Sequence, residues 1–214
     1  IIFGNEILPK NSPEPWTEDD FTLEGYKIYS NLNDNPERGV ALYVIESKAH
    51  LITAVDIDKR KRDKFKEQVW AYLKLKGRDK LLLGSIYRSG SSGRENSKNL
   101  NKLLNKVGRI NPSHLLMCGD TNFGGIDWVA NTTSSSEQQD FLDSTQDNFL
   151  FQHVHEPTRF RIGQTANSLD VVFTNEETMI DNISYLPGIG LSDHVCILID
   201  PVSYTHLRAH ETRY

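Results

Sequence analysis

The stretch Leu115-Leu116-Met117-Cys118-Gly119-Asp120-Thr121-Asn122 constrains this chain more than any other. Four apolar residues run straight into Gly-Asp-x-Asn, the pattern of a short buried strand whose last residues leave the sheet. Asp120 and Asn122 then stand on the loop at the strand's carboxyl end, where a rigid sheet can hold loop side chains in place. A carboxylate there can take a cation or a water, and a neutral amide beside it can touch an anionic oxygen without repelling it. The plain alternative is a type I turn in which Asp and Asn fill ordinary turn roles.

The same form recurs along the chain. Gly4-Asn5-Glu6 follows Ile1-Ile2-Phe3, and Ile86-Tyr87-Arg88 follows Leu81-Leu82-Leu83. Asn167-Ser168-Leu169-Asp170 opens the run Val171-Val172-Phe173, and Ser192-Asp193-His194 opens Val195-Cys196-Ile197-Leu198-Ile199. Each has a bland reading of its own. Glu6 could be an exposed loop acid, Tyr87 a core strand tyrosine, Asp170 and Asp193 turn caps, and His194 a satisfied strand histidine. Together, so many carboxylate, amide and imidazole groups at strand ends exceed what turns require.

The rest of the chain supplies a scaffold. Residues 39–45 are β-rich, 51–57 form a weaker strand, and 21–29 hold a short strand that Gly25 would break. Val69 to Leu75 alternates, Gly77-Arg78-Asp79 is a turn, and Leu81 to Tyr87 is a further apolar run, so these predict an antiparallel meander. Ser92-Gly93-Arg94-Glu95 has capping-box spacing before Leu100, Leu103, Leu104, Val107 and Ile110, which recur at helical period. Ser134-Ser135-Ser136-Glu137 repeats the signal before a helix carrying Phe141, Leu142 and Phe149. Further strands are expected at 169–174, 182–186 and 194–199. The charge run from Lys59 to Lys64 reads as a solvated hairpin tip, or else as a phosphate-backbone contact. Strands outnumber helices, which lie between them, so the expected class is a β-rich α/β layered sandwich.

Composition bounds the function. With 214 residues, 37% hydrophobic and 25% charged, the chain is long enough for one domain with a real core. No apolar run approaches the roughly 20 residues needed to span a bilayer, and no signal peptide opens the chain. Cys118 and Cys196 lie inside apolar runs and read as small buried hydrophobes of a reducing compartment. A net charge of -5 argues against a non-specific polyanion binder.

The strand-end set resembles the endonuclease/exonuclease/phosphatase superfamily, which includes deoxyribonuclease I and the abasic-site endonucleases. The resemblance is strongest to the endonuclease domains of non-LTR retrotransposon reverse transcriptases. It runs through Glu6-Ile7-Leu8-Pro9-Lys10-Asn11, Gly39-Val40-Ala41-Leu42-Tyr43-Val44, Ile86-Tyr87-Arg88-Ser89, Gly119-Asp120-Thr121-Asn122, Glu156-Pro157-Thr158-Arg159, Ser168-Leu169-Asp170 and Ser192-Asp193-His194.

What the resemblance implies is specific. The fold would be a four-layered α/β sandwich of two packed, mainly antiparallel β-sheets flanked by helices, over residues 1–200. The family's first strand, with its asparagine, and its first helix would be missing. Glu6 and Asp193 would hold Mg²⁺, with Mn²⁺ as the alternative ion. Asp120 would position or deprotonate the attacking water, Asn122 would contact the phosphate, and Asp170 would hydrogen-bond His194. Tyr87 would lie near the scissile phosphate, with Arg88, Thr158 and Ser192 as weaker substrate-contact positions. The activity would be metal-dependent phosphodiester hydrolysis, most of all nicking of target DNA for retrotransposition. DNA and a C-terminal reverse transcriptase domain are the implied partners, no membrane is involved, and the setting would be intracellular and nuclear. The alternatives are a phosphatase or phospholipid or inositol phosphate hydrolase of the same fold, or a truncated inactive retrotransposon remnant. The tail from 201 to 214 breaks the pattern and is expected to be non-native or disordered. His206 and His210 stand four apart there, but Val202 to Thr212 resembles a read-through peptide.

Overall fold

The computed structural model describes residues 1–10, 16–34, 36–60 and 62–202. Of the tail expected over 201–214, Pro201 instead closes a strand and pairs with Ile180, and the expectation for Ser203 to Tyr214 lies outside the described residues. In chain order the strands and helices are β1 (Ile2–Asn5), β2 (Tyr26–Ser30), β3 (Val40–Ile45), α1 (Glu46–Ala49), β4 (Ile52–Ala54), β5 (Gln68–Lys74), β6 (Lys80–Tyr87), α2 (Arg94–Ile110), β7 (His114–Asp120), β8 (Ile126–Asp127), β9 (Thr132–Thr133), α3 (Ser136–Asp147), β10 (Phe151–Gln152), β11 (Asp170–Thr174), β12 (Ile180–Leu186) and β13 (Cys196–Pro201).

A six-stranded sheet runs β10-β11-β7-β6-β5-β4, a three-stranded sheet runs β1-β3-β2, and β12-β13 and β8-β9 form pairs. The β5–β6 hairpin is antiparallel, as the alternating pattern predicts. β6 and β7 are parallel, joined through α2 as a crossover, and every other pairing is antiparallel. The central strands are buried on both faces, which is why they read as unbroken apolar runs rather than as alternation.

Two cores follow from the two faces of the six-stranded sheet. Leu82, Ile86, Leu115, Met117, Val171 and Phe173 pack against Leu100, Leu103, Leu104 and Val107 of α2 and Phe141 and Leu142 of α3. Leu83, Tyr87, Leu116, Cys118 and Val172 face Val40, Leu42 and Val44 of β3, with Ile183, Tyr185, Ile197 and Ile199 of β12 and β13 alongside. Each fully buried Leu or Phe contributes about 1.5–3 kcal/mol relative to exposure, so α2 owes its place to its apolar stripe. The molecule is thus a mixed α/β sandwich of packed, mainly antiparallel sheets with flanking helices. Among the described residues, both helices longer than one turn cover the same face of the large sheet.

Some local expectations change. The N-cap of α2 is Gly93, without a side-chain cap, and the Ser92 hydroxyl instead accepts from Asn96 Nδ2 at 3.0 Å. α3 starts after Ser135, and Glu137 turns into the interior to meet Ser97 and Arg88 rather than closing a capping box. Ile110 and Phe149 fall off the buried stripes, because α2 and α3 are ending there in left-handed residues, Asn111 and Phe149 itself. In the charge run, Arg60 pairs with the fully buried Asp58, which Lys106 of α2 also reaches.

Candidate active site

Strand alternation and register together build the site. Tyr87, Asp120 and Asp170 share the parity of Leu83, Cys118 and Val172, so all three side chains point to the side facing the second sheet. Register places Tyr87 opposite Asp120 and Asp120 opposite Asp170, a row across the ends of β6, β7 and β11. The backbones of β6 and β7 approach so closely that a Cβ on Gly119 would fall 1.8 Å from the Ile86 carbonyl oxygen. Glycine before Asp120 is therefore a packing requirement.

Asp120 is held from below and from its own loop. Its Oδ1 accepts from the Asn122 backbone N–H at 2.8 Å and its Oδ2 from Asn122 Nδ2 at 2.9 Å. Asn122 adopts the left-handed conformation that Asn tolerates, and its Nδ2 also donates to the Arg88 carbonyl at 2.9 Å. Both amide hydrogens are thus committed, so in this arrangement Asn122 orients Asp120 rather than facing a phosphate. Burial, then the charge of Asp170, push the Asp120 carboxyl up to about 7.

His194 enters from the segment before β13. Its Nδ1 lies 2.8 Å from Asp170 Oδ2, which fixes Nδ1 as the donor and leaves Nε2 without a protein hydrogen-bond partner among the described residues. Burial works against its charge, but the hydrogen bond to Asp170 and the charges of Asp170, Asp120 and Asp193 outweigh it, so its pKa is raised. Ser192 Oγ accepts from the His194 N–H at 3.1 Å and so shapes the turn. Thr158, fully buried, accepts from the N–H groups of Leu169 and Asp170. It anchors the start of β11 and cannot touch a substrate.

Glu6 meets this row from β1. Tyr87 donates its hydroxyl to Glu6 Oε1, and Arg38 Nη2 pairs with Glu6 Oε2 at 2.7 Å. The Tyr87 phenol is buried and beside that carboxylate, so its pKa is driven far upward and it stays protonated. The loop carrying Arg38 is tied down by Glu67, whose carboxylate collects the N–H groups of Glu37, Arg38 and Gly39. With its amide oriented to satisfy both ends, Asn5 accepts from the Asp120 N–H at 3.1 Å and donates to Ser85 Oγ at 3.2 Å. Asn5, Arg38 and Glu67 are not among the site residues that the sequence singles out. Asn5 had a signal, since it shares the inward parity of Phe3; the Arg38–Glu6 and Glu67 contacts join segments far apart and have none.

Besides Asn122 and Thr158, two further expectations do not fit the geometry. Arg88 is only 5% exposed and points away from the site. Its guanidinium reaches Ser97 Oγ, the Thr121 carbonyl and Glu137, and lies 4.2 Å over the Phe123 ring. It straps the end of β6 to both helices and has no edge left for substrate. Asp193 is not among the residues whose ligand atoms converge, and its Oδ2 pairs instead with Nε of Arg159 and of Arg161.

Asp120, Asp170 and His194 each offer a ligand atom, all within 4.8 Å of one another. Glu6 adds its charge at Asp120. Crowded carboxylate oxygens, one of them with a pKa pushed up by burial and then by its neighbours, suit a hard divalent cation. The residues present therefore fit such an ion.

Residues 81–198 match the family model described as endonuclease-reverse transcriptase. The chain belongs to this family. The endonuclease domain of TRAS1, a telomere-specific non-LTR retrotransposon, superposes with a TM-score of 0.62 at 14% identity, covering 85% of this chain and 82% of its own. The 3′ phosphatase NExo from Neisseria, solved with a product DNA hairpin, gives 0.59 at 11% identity over 91% and 86%. A mannosyl-6-phosphatase from Bacteroides thetaiotaomicron gives 0.52 at 14% identity over 85% and 78%. At these identities the likeness shows the endonuclease/exonuclease/phosphatase fold, whose members here are nucleases and phosphatases. No curated protein matches the sequence. Among the described residues, no helix of this family member is long and apolar enough to cross a membrane.

Proposed function

We propose that this chain is a divalent-metal-dependent phosphodiesterase, a DNA endonuclease domain that nicks one strand of target DNA for retrotransposition. Residues 1–200 would form that domain, working beside a reverse transcriptase and therefore in the nucleus. The observation that carries the reading is the row Tyr87–Asp120–Asp170, with His194 on Asp170 and Glu6 on Tyr87, in a chain of the endonuclease-reverse transcriptase family.

Hydrolysing a phosphodiester needs an activated water, relief of charge on the phosphoryl oxygens and a stabilised leaving oxygen. Asp120, its orientation fixed by Asn122, accepts the proton of the attacking water. His194, turned by Asp170 and in its imidazolium form, presents Nε2–H to a phosphoryl oxygen and offsets the charge that develops there. Tyr87 and Arg38 hold Glu6, and Asn5 holds the backbone of Asp120. Glu6 and Asp170 would bind Mg²⁺, which when bound supplies Lewis-acid stabilisation of phosphoryl oxygens. Asp193 is not placed in that role.

The test is conversion of supercoiled plasmid to nicked circle with Mg²⁺, with Asp120→Ala as the control. Nicking that falls at least about a hundredfold in the variant supports the reading. A purified chain that leaves the plasmid intact but releases phosphate from a monoester would instead favour a phosphatase.

A further inference from the structure

Asp193 directs attention to two arginines beside the histidine. Its Oδ2 lies 2.9 Å from Arg159 Nε and 3.4 Å from Arg161 Nε. The backbone fixes where these arginines stand. The Phe160 N–H donates to the Asp193 carbonyl and the Val195 N–H to the Thr158 carbonyl, each at 2.8 Å, so Arg159 sits directly opposite His194. Bridged residues of this kind have Cα atoms about 5 Å apart.

A guanidinium has donors on more than one edge. Asp193 uses Nε of each arginine and leaves the terminal amino groups, which have no protein acceptor among the described residues. One carboxylate offsets one of two positive charges, so the group keeps a net positive charge. That charge stands at the border of a site otherwise lined by Glu6, Asp120 and Asp170. An end-on guanidinium edge matches phosphate oxygens, and Arg is the side chain best suited to take them in pairs. We propose that Arg159 and Arg161, oriented by Asp193, form a phosphodiester-binding subsite for the backbone phosphate next to the one cleaved at His194. This rests on the DNA-endonuclease reading above. Asp193 is then an orienting residue of the subsite, which accounts for its absence from the carboxylate cluster.

The test measures binding of a fluorescent 20-base-pair duplex by Asp120→Asn protein in Mg²⁺ over a series of KCl concentrations. Each phosphate contact contributes about one to the slope of log affinity against log salt. Arg161→Ala is expected to lower that slope by about one, Arg159→Gln likewise, and Arg161→Lys to restore it. A merely structural role would weaken binding without changing the slope. An unchanged slope in both charge-removing variants, or a parent that binds no duplex, overturns the subsite. The two readings separate cleanly. Binding with the expected slopes but no nicking by the wild-type chain supports the subsite and sinks the nuclease. Nicking with unchanged slopes sinks the subsite and keeps the nuclease.

Discussion

His194 brings an imidazole among carboxylates, and its protonation reports whether the pairing with Asp170 holds in solution. Burial lowers its pKa, but the Asp170 hydrogen bond and the surrounding charges win and raise it. A histidine whose folded pKa lies above its unfolded value of about 6.5 lends its full stabilisation below pH 6.5 and loses it as pH rises through the folded value. NMR titration of the His194 ring should therefore give a midpoint above about 6.5, and Asp170→Asn should bring it down. An unmoved midpoint would mean that Asp170 does not govern the ring. Asp58 shows the opposite sign. Burial would raise its pKa, yet hydrogen bonds from Arg60 and Lys106 hold it far below the usual carboxylate range. Its contribution is present above pH about 4 and fades as pH falls through the folded value. Asp58→Asn should cost about 2–3 kcal/mol by urea unfolding at pH 7 and much less near pH 2.

At the scale of elements, the ends of strands do the positioning, and they depend on how closely β6 and β7 pack. Gly119→Ala would place a methyl group into the Ile86 carbonyl. The expected cost is about 1–3 kcal/mol in chemical denaturation, together with loss of nicking as the Tyr87–Asp120 register spreads. A variant with parental stability would show that the strands can part freely. Arg88 belongs to the same scale. Arg88→Ala should destabilise by about 3 kcal/mol, because Glu137 and the Thr121 carbonyl lose a buried cationic partner. If Arg88 served substrate instead, the variant would lose activity at unchanged stability.

Over the whole molecule, the layered sandwich and much of its site were legible in the sequence, for identifiable reasons. Apolar runs of strand length, each bounded by polar residues, specify buried strands, and the period of α2 specifies a helix on a sheet. The convergence of Asp120, Asp170 and His194 could be anticipated because each lies at a strand end. Long-range choices were not legible. Nothing near Arg88 says that it turns inward to Ser97 and Glu137, and nothing near Asp193 says that it meets Arg159 and Arg161. The Glu67 carboxylate that collects three consecutive backbone N–H groups is joined to them across about thirty residues of chain. Such contacts are decided by packing between elements, which local pattern does not encode.

The central claim is that residues brought together from separate strand ends act as one catalytic unit. A double-mutant cycle on plasmid nicking tests it, using Asp120→Ala, His194→Ala and the double variant with Mg²⁺. Each single change should reduce the rate at least about a hundredfold, and the double variant should be little worse than the weaker single, because groups acting together are not additive. Losses that multiply, or full activity in Asp120→Ala, would contradict the account.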